Sequence, residues 1–290
     1  MGYLLITTLI WAFSFGLIGS ALKGLEPLQL ADTRLLIALL VFLPFLKLAH
    51  TNHQDKLRLI FIGAIQYGLM YTCYLSAFRF LPSHLVALFS VLTPLYIVII
   101  NDVKSRSFTP KYILASLLSI CGAVVIKAGD IDTQEFWLGF GLMQISNLAF
   151  AFGQLAYRDW KLAKPKVKDS SVFGYLYFGA ALFTCIATAL ISQEPPIPVN
   201  AGLQQWLALA YLGTIASGLG FFFWNKGASQ TSVGELAVFN NAVVPLAMFA
   251  SLFIFGEVVD VSLADLLKLL YGSTLIGVAL FVAKSNVNSR

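Results

Sequence analysis

Charge is scarce in this chain: 11% of its 290 residues are Asp, Glu, Lys or Arg. A soluble domain carries about a quarter, so a surface facing water cannot be covered from this inventory. Cysteine is almost absent as well. Cys73, Cys121 and Cys185 each lie inside an apolar run, which excludes a disulfide framework and a structural zinc spacing. The spans hold no paired Asp motif and no H-E-x-x-H. An intramembrane enzyme would lack its chemistry here, and no metal or cofactor is expected. "HTNHQD" (50–55) has two histidines but reads as a polar turn. No Lys or Arg precedes the first apolar run, so that run reads as a retained span and not as a signal peptide.

What is present is apolar: 58% of the residues are hydrophobic. They come in runs of about 20, the length that crosses a ~30 Å hydrocarbon core as a helix. Ten spans are expected, at 3–22, 28–48, 57–78, 83–101, 110–127, 136–157, 172–191, 204–225, 232–254 and 263–283. The fold class is therefore an all-α integral membrane protein with ten transmembrane helices. Pro27 after Glu26 and Pro110 after Thr109 mark helix starts. "QEPPIPVN" (193–200) is a connection, and "YRDWKLAKPKVKDS" (157–170) is the one long basic loop.

Orientation follows from the basic residues. With the N-terminus inside the cell, fourteen Lys and Arg fall in cytoplasmic segments. Four fall outside (Lys23, Arg79, Lys127 and Lys268), and Arg34 lies within a span. This is the positive-inside pattern, and it puts both termini in the cytoplasm of a cell whose plasma membrane, the inner membrane of a bacterium, holds the chain. It also explains the net charge of +5: the basic face meets anionic lipid, not nucleic acid.

The apolar pattern repeats. "WAFSFG" (11–16) nearly recurs as "LAFAFG" (148–153), a shift of 137 residues. "YLSAFRFLPSHLVALFSVLTPLYIVI" (74–99) lies over "FWNKGASQTSVGELAVFNNAVVPLAMFA" (223–250) at a shift of 151, with Pro94 on Pro245, Ala77 on Ala228 and Leu85 on Leu236. Residues 1–130 and 131–290 then form two units of five spans each. Five is odd, so the second unit enters the membrane upside down. Inverted repeats of this kind build secondary transporters around a site near the midplane; some channels share the architecture, so a passive channel or facilitator stays open.

These residues carry a family resemblance. The order "YLSAFRFLPS…LTPL" and "FFWNKGASQTS…VVPL", then Gly256-Glu257, and Arg34 in "ADTRLLIALL", resembles the drug/metabolite transporter superfamily in its EamA-type branch. The resemblance covers nearly the whole chain. The first half departs from it, with "NDVKSRSF" where a second "GE" is common. It implies secondary active transport of small organic solutes, often export of amino acids, amines or related metabolites, driven by protons or another gradient. A homodimer is compatible with it.

Polar side chains inside spans cost free energy and so face a cavity or a neighbouring helix. Gln144, Asn147 and Gln154 share one face of the sixth span, and Tyr67 and Tyr71 one face of the third. Ser217 and Trp224 in the eighth, Asn240 and Asn241 in the ninth, and Trp11 and Ser14 in the first complete the candidate solute site. Each also has a plain reading, as interhelical glue or, for the aromatics, an interfacial belt. His84 and Glu235 superimpose under the 151-residue shift and are candidate proton or gating groups. Glu235 equally completes a capping box with Ser232. Arg34 either snorkels outward, pairs with Asp32 or a carbonyl, or attracts a carboxylate.

Overall fold

The computed structural model describes residues 2–47, 52–106, 133–231, 233–256 and 262–284, with isolated positions between 118 and 125. Among the described residues it is all-helical. The helices are α1 (Gly2–Ala21), α2 (Pro27–Phe42, closed by a 3₁₀ turn to Phe45), α3 (His53–Ala77) and α4 (Ser83–Lys104). They continue as α5 (Thr133–Ala163), α6 (Phe173–Ile191), α7 (Leu203–Ala228), α8 (Val233–Phe249, running on to Ile254) and α9 (Leu263–Lys284). Seven of the described helices are long and apolar enough to cross a membrane. The expected span at 110–127 lies outside the described residues.

Local chemistry sets the helix ends. Pro27 opens α2, and the Glu26 carboxylate caps it by accepting from the Gln29 amide at 3.0 Å. Glu26 also holds Arg79 at 2.7 Å. Gly24 and Gly256 have φ of +88° and +79°, which a residue without Cβ adopts freely. They close the turns after α1 and α8.

The ends grouped by the charge tally meet at one face. There Lys104 pairs with Asp159 at 2.5 Å, Arg158 donates to the carbonyls of Ala228 and Thr231, and Tyr3 stacks on Phe223. At the other face Glu26 meets Arg79, and Gln29 Nε2 donates to the Pro195 carbonyl at 2.9 Å. Gly2 lies on the first of these, called here the Gly2 face.

The helices cross the halves. α6 packs along α3, and α2 packs along α7. Glycines make this possible. A Cβ on Gly63 of α3 would stand 1.9 Å from the Leu176 carbonyl oxygen, and one on Gly179 of α6 would stand 1.9 Å from that of Ile60. The glycines that close the two short repeats do the same work: Gly16 lies against the Phe255 ring and Gly153 against Gln66. Small residues at such crossings let backbones approach in a membrane, where burying apolar surface drives little.

Besides the π turn that ends α8 at Ala250–Ile254, three interruptions lie within the described helices. α3 is π-helical over Ala64–Leu69, and α7 over Leu212–Leu219. The 151-residue shift brings these two turns almost into register. α4 tightens to a 3₁₀ turn at Ser90–Leu92 just before Pro94. Such breaks free backbone carbonyls, which in a bilayer must find other donors.

Candidate functional site

Those freed carbonyls organise the centre of the molecule. Pro94 has no N–H to offer; the Ser90 carbonyl takes the Thr93 N–H in the 3₁₀ turn, and the Thr93 hydroxyl donates to the same oxygen at 2.8 Å. The neighbouring Phe89 carbonyl takes a hydrogen bond from Asn147 Nδ2 at 2.8 Å. In the π turn of α7, Trp11 Nε1 donates to the Ala216 carbonyl at 2.9 Å. Tyr177 OH reaches the carbonyls of Ser217 and Gly218 at 2.7 and 2.8 Å. Each donor comes from a different helix, so backbone satisfaction ties the bundle together at the level where its helices break.

A cavity of about 100 Å³ opens at this level. Its wall is largely aromatic and thioether: Trp11, Phe15, Phe150, Phe221, Met70 and Met143 line it. Trp11 and Phe221 rings lie 4.9 Å apart, and Trp11 meets Phe150 edge-on at 5.7 Å. The polar groups are few and spread over six helices: Ser14, Arg34, Tyr71, Ser90, Thr93, Ser146, Asn147 and Asn240.

Arg34 is the one charged group in that wall. It is 2% exposed. Its Nη2 donates to Tyr71 OH at 2.6 Å, its Nε to Ser217 Oγ at 3.2 Å, and its guanidinium carbon lies 4.5 Å from the Tyr71 ring centre. Tyr71 OH and Ser217 Oγ are themselves 2.9 Å apart. Nη1 has no partner. The guanidinium therefore neither snorkels nor pairs with a carboxylate. It is held rigid by a phenol and a hydroxyl with one nitrogen left open, an arrangement ready for an anionic oxygen.

The expected site residues divide into two levels. Trp11, Ser14, Tyr71, Asn147 and Asn240 line the cavity together with Arg34. Gln144 stands beside it, accepting from Tyr96 OH at 3.2 Å. Ser217 touches it through Arg34 and Tyr71. Tyr67, Gln154 and Trp224 do not line it. They form a buried, hydrogen-bonded layer between the cavity and the Gly2 face. There Gln154 Oε1 accepts from Trp224 Nε1 at 3.0 Å and from Asn240 Nδ2 at 3.4 Å. Gln66 and Asn225 exchange hydrogen bonds at 2.8 and 3.1 Å, and Asn225 also donates to Tyr67 OH at 2.8 Å. Trp224 is fully buried here and not at a membrane interface. His84 is buried in the first turn of α4 and does not line the cavity. The side chains of Asn241 and Glu235, and Ser232 with its capping box, lie outside the described residues.

Several residues escaped the sequence reading. Gln66 sits where the 151-residue shift places Ser217, and Asn225 where it places Tyr74, so internal symmetry was the signal that would have found Gln66. Tyr177 carried no signal, because its partners are carbonyls of another helix.

The EamA-like transporter family profile matches residues 1–128 and again 137–283. The chain is 38% identical over 259 residues to a biotin transporter of Salmonella typhimurium, covering 89% of this chain and 85% of that one. It is 37% identical over 284 residues to a probable biotin transporter of Pseudomonas aeruginosa, covering 97% and 96%. The biotin transporter of Escherichia coli is 37% identical over 259 residues. A solved crystal structure superposes with a TM-score of 0.64 over 100% of this chain and 99% of its own at 21% identity, a likeness of fold. These relatives, named as biotin transporters, overturn the expected export of amino acids or amines. Their names point to a vitamin, which aromatic and amide side chains in the spans do not distinguish from a zwitterion. The chain is a multi-pass protein of the inner membrane, its partners a small-molecule solute and the lipid bilayer. With its profile matched along nearly the whole length and close relatives named as transporters, it belongs to the EamA-like transporter family.

Proposed function

We propose that this protein carries biotin across the inner membrane and that the central cavity is its seat. Biotin is a carboxylic acid whose aliphatic chain leads to a fused ring pair with a thioether sulfur and a cyclic urea. The observation that carries the reading is Arg34, buried in the cavity wall with Nη1 unpartnered. It supplies a fixed partner for the carboxylate. The Trp11, Phe150, Phe221 and methionine wall suits the chain and the thioether ring. Asn147, Thr93 and Asn240 offer the mixed donors and acceptors that a urea needs. Equilibrium binding of radiolabelled biotin to the purified protein tests this. Biotin should bind and its methyl ester, which lacks the anionic oxygen, should compete poorly. Equal competition by the ester would remove Arg34 from the carboxylate site, and no biotin binding at all would remove the solute.

We also propose that the chain has ten spans in two inverted units, 1–130 and 131–290, with both termini cytoplasmic. The double match of the family profile supports this, as do the paired π turns and the basic residues gathered at the Gly2 face.

A further inference from the structure

One buried carboxyl has no role in the cavity. Asp32 lies on α2, five residues or about 7.5 Å of helix rise past Pro27, and is 0% exposed. It sits two positions before Arg34, which turns it to the opposite side of the helix, toward α6. There Thr188 Oγ1 donates to Oδ2 at 2.5 Å, and Thr184 and the Cys185 thiol also face the carboxyl. Oδ1 has no partner.

No cation balances it among the described residues. Arg34 spends its bonded nitrogens on Tyr71 and Ser217. Among the elements packed against α2, α3 also carries His53, Asp55, Lys56 and Arg58 and α7 carries Lys226, all in the helix ends at the Gly2 face, the far side from Asp32. The remaining titratable side chains on these elements, Cys185, Tyr175 and Tyr177 on α6, Tyr67, Tyr71, Cys73 and Tyr74 on α3, and Tyr211 on α7, are phenols or thiols and bring no positive charge. A carboxylate buried in a span without a positive partner is expensive and marks a functional position.

Water is one turn away. At the face opposite Gly2, a vestibule of about 280 Å³ is lined by Glu26, Arg79, Glu194, Ser192, Leu28 and Ile191 among others. Leu28 is one turn before Asp32 on α2, and Ile191 one turn past Thr188 on α6. Arg79 is paired with Glu26, which leaves the Glu194 carboxylate to draw cations to this mouth.

We propose that Asp32 is a proton-binding site that couples solute movement to the proton gradient. A proton from vestibule water binds Oδ1 and turns the carboxylate into the neutral acid; it returns to water when that O–H bond breaks. One free oxygen matches one proton, whereas a metal cation wants about six oxygen ligands. α2 carries Asp32 and Arg34 two residues apart, so the proton site and the proposed carboxylate seat ride on one helix. A neutral Asp32 removes a negative charge from the neighbourhood of an incoming anion. The coupling rests on the biotin reading; the proton site does not.

Infrared difference spectra of the purified full chain across a pH jump test the site without any solute. The wild type should show the carbonyl band of a protonated carboxyl. Asp32→Asn should lack that band, and Thr188→Val, which removes the donor, should shift it. A band unchanged in Asp32→Asn overturns the proposal, and this arm decides even if the variant transports poorly. In proteoliposomes, wild-type protein should accumulate labelled biotin under a pH gradient. Asp32→Asn should still exchange labelled for unlabelled biotin but lose that accumulation. Accumulation by Asp32→Asn equal to wild type, or accumulation that follows sodium, overturns the coupling. Failure of the wild type to move biotin strikes the solute reading and leaves the infrared result to decide Asp32.

Discussion

At the residue scale, Arg34 concentrates the chemistry. Two of its nitrogens are fixed by Tyr71 and Ser217, so the third points where the scaffold sets it. Arg34→Ala should weaken biotin binding about tenfold to a hundredfold, the equivalent of one charged hydrogen bond worth about 1.5–3 kcal/mol. Arg34→Lys should recover little, because a single ammonium cannot hold Tyr71 and Ser217 while presenting a free nitrogen. Titration of labelled biotin against each purified variant checks both. Asn147 does two jobs at once, lining the cavity and satisfying the Phe89 carbonyl. Asn147→Ala should therefore lower transport and also cost about 1–3 kcal/mol by leaving a buried carbonyl unmet. Uptake assays beside thermal unfolding of the same preparation separate the two effects.

Elements in this protein are defined by where they break. At the π turn of α7 and the 3₁₀ turn before Pro94, carbonyls are met by Trp11, Tyr177, Thr93 and Asn147; in α3 the Gly68 carbonyl takes the Thr72 hydroxyl. Trp11, Tyr177 and Asn147 reach these carbonyls from other helices, which is why polar side chains gather at one depth. Crossings between elements depend on glycine. At Gly63 and Gly179 a methyl group would fall on a backbone carbonyl that no rotamer change can move. Gly179→Ala should lower the thermal midpoint by a separation of α3 and α6 that costs about 1–3 kcal/mol, with Gly141→Ala, which meets nothing within 4 Å, as the unaffected control in the same melting experiment.

For the whole molecule, a hydrogen-bonded layer of Gln66, Asn225, Tyr67, Gln154 and Trp224 lies between the cavity and the Gly2 face, with reciprocal amide bonds joining α3 and α7. Interhelical hydrogen bonds in membranes are worth about 0.6–1.7 kcal/mol each, weak enough to break in a transport cycle and strong enough to bias the resting state. Asn225→Ala should let a water-soluble thiol reagent applied at the Gly2 face reach a cysteine placed at Ser14, at a rate above that of the otherwise unaltered protein. The topology is open to the same method: cysteines at Gly2 and within residues 284–290 should be labelled from the same side of sealed cells, and labelling from opposite sides would remove the even span count.

Composition and run length alone established a helical membrane protein, because a bilayer permits few structures and each must hide its own backbone polar groups. The charge scarcity, the helix start at Pro27 and the polar residues near the midplane were equally legible, since each is a local consequence of residue type. What the chain folds together was not. The sequence could not say that Arg34 meets Tyr71 and Ser217, that Trp224 and Gln154 form a layer below the cavity and do not line it, or that Asp32 faces α6 without a counter-charge. These contacts join residues separated by 37 to 183 positions along the chain, and they depend on crossings set by glycines and by the positions of two π turns. Periodicity assigns a residue to a face of its own helix; only the packed bundle decides which other helix that face meets.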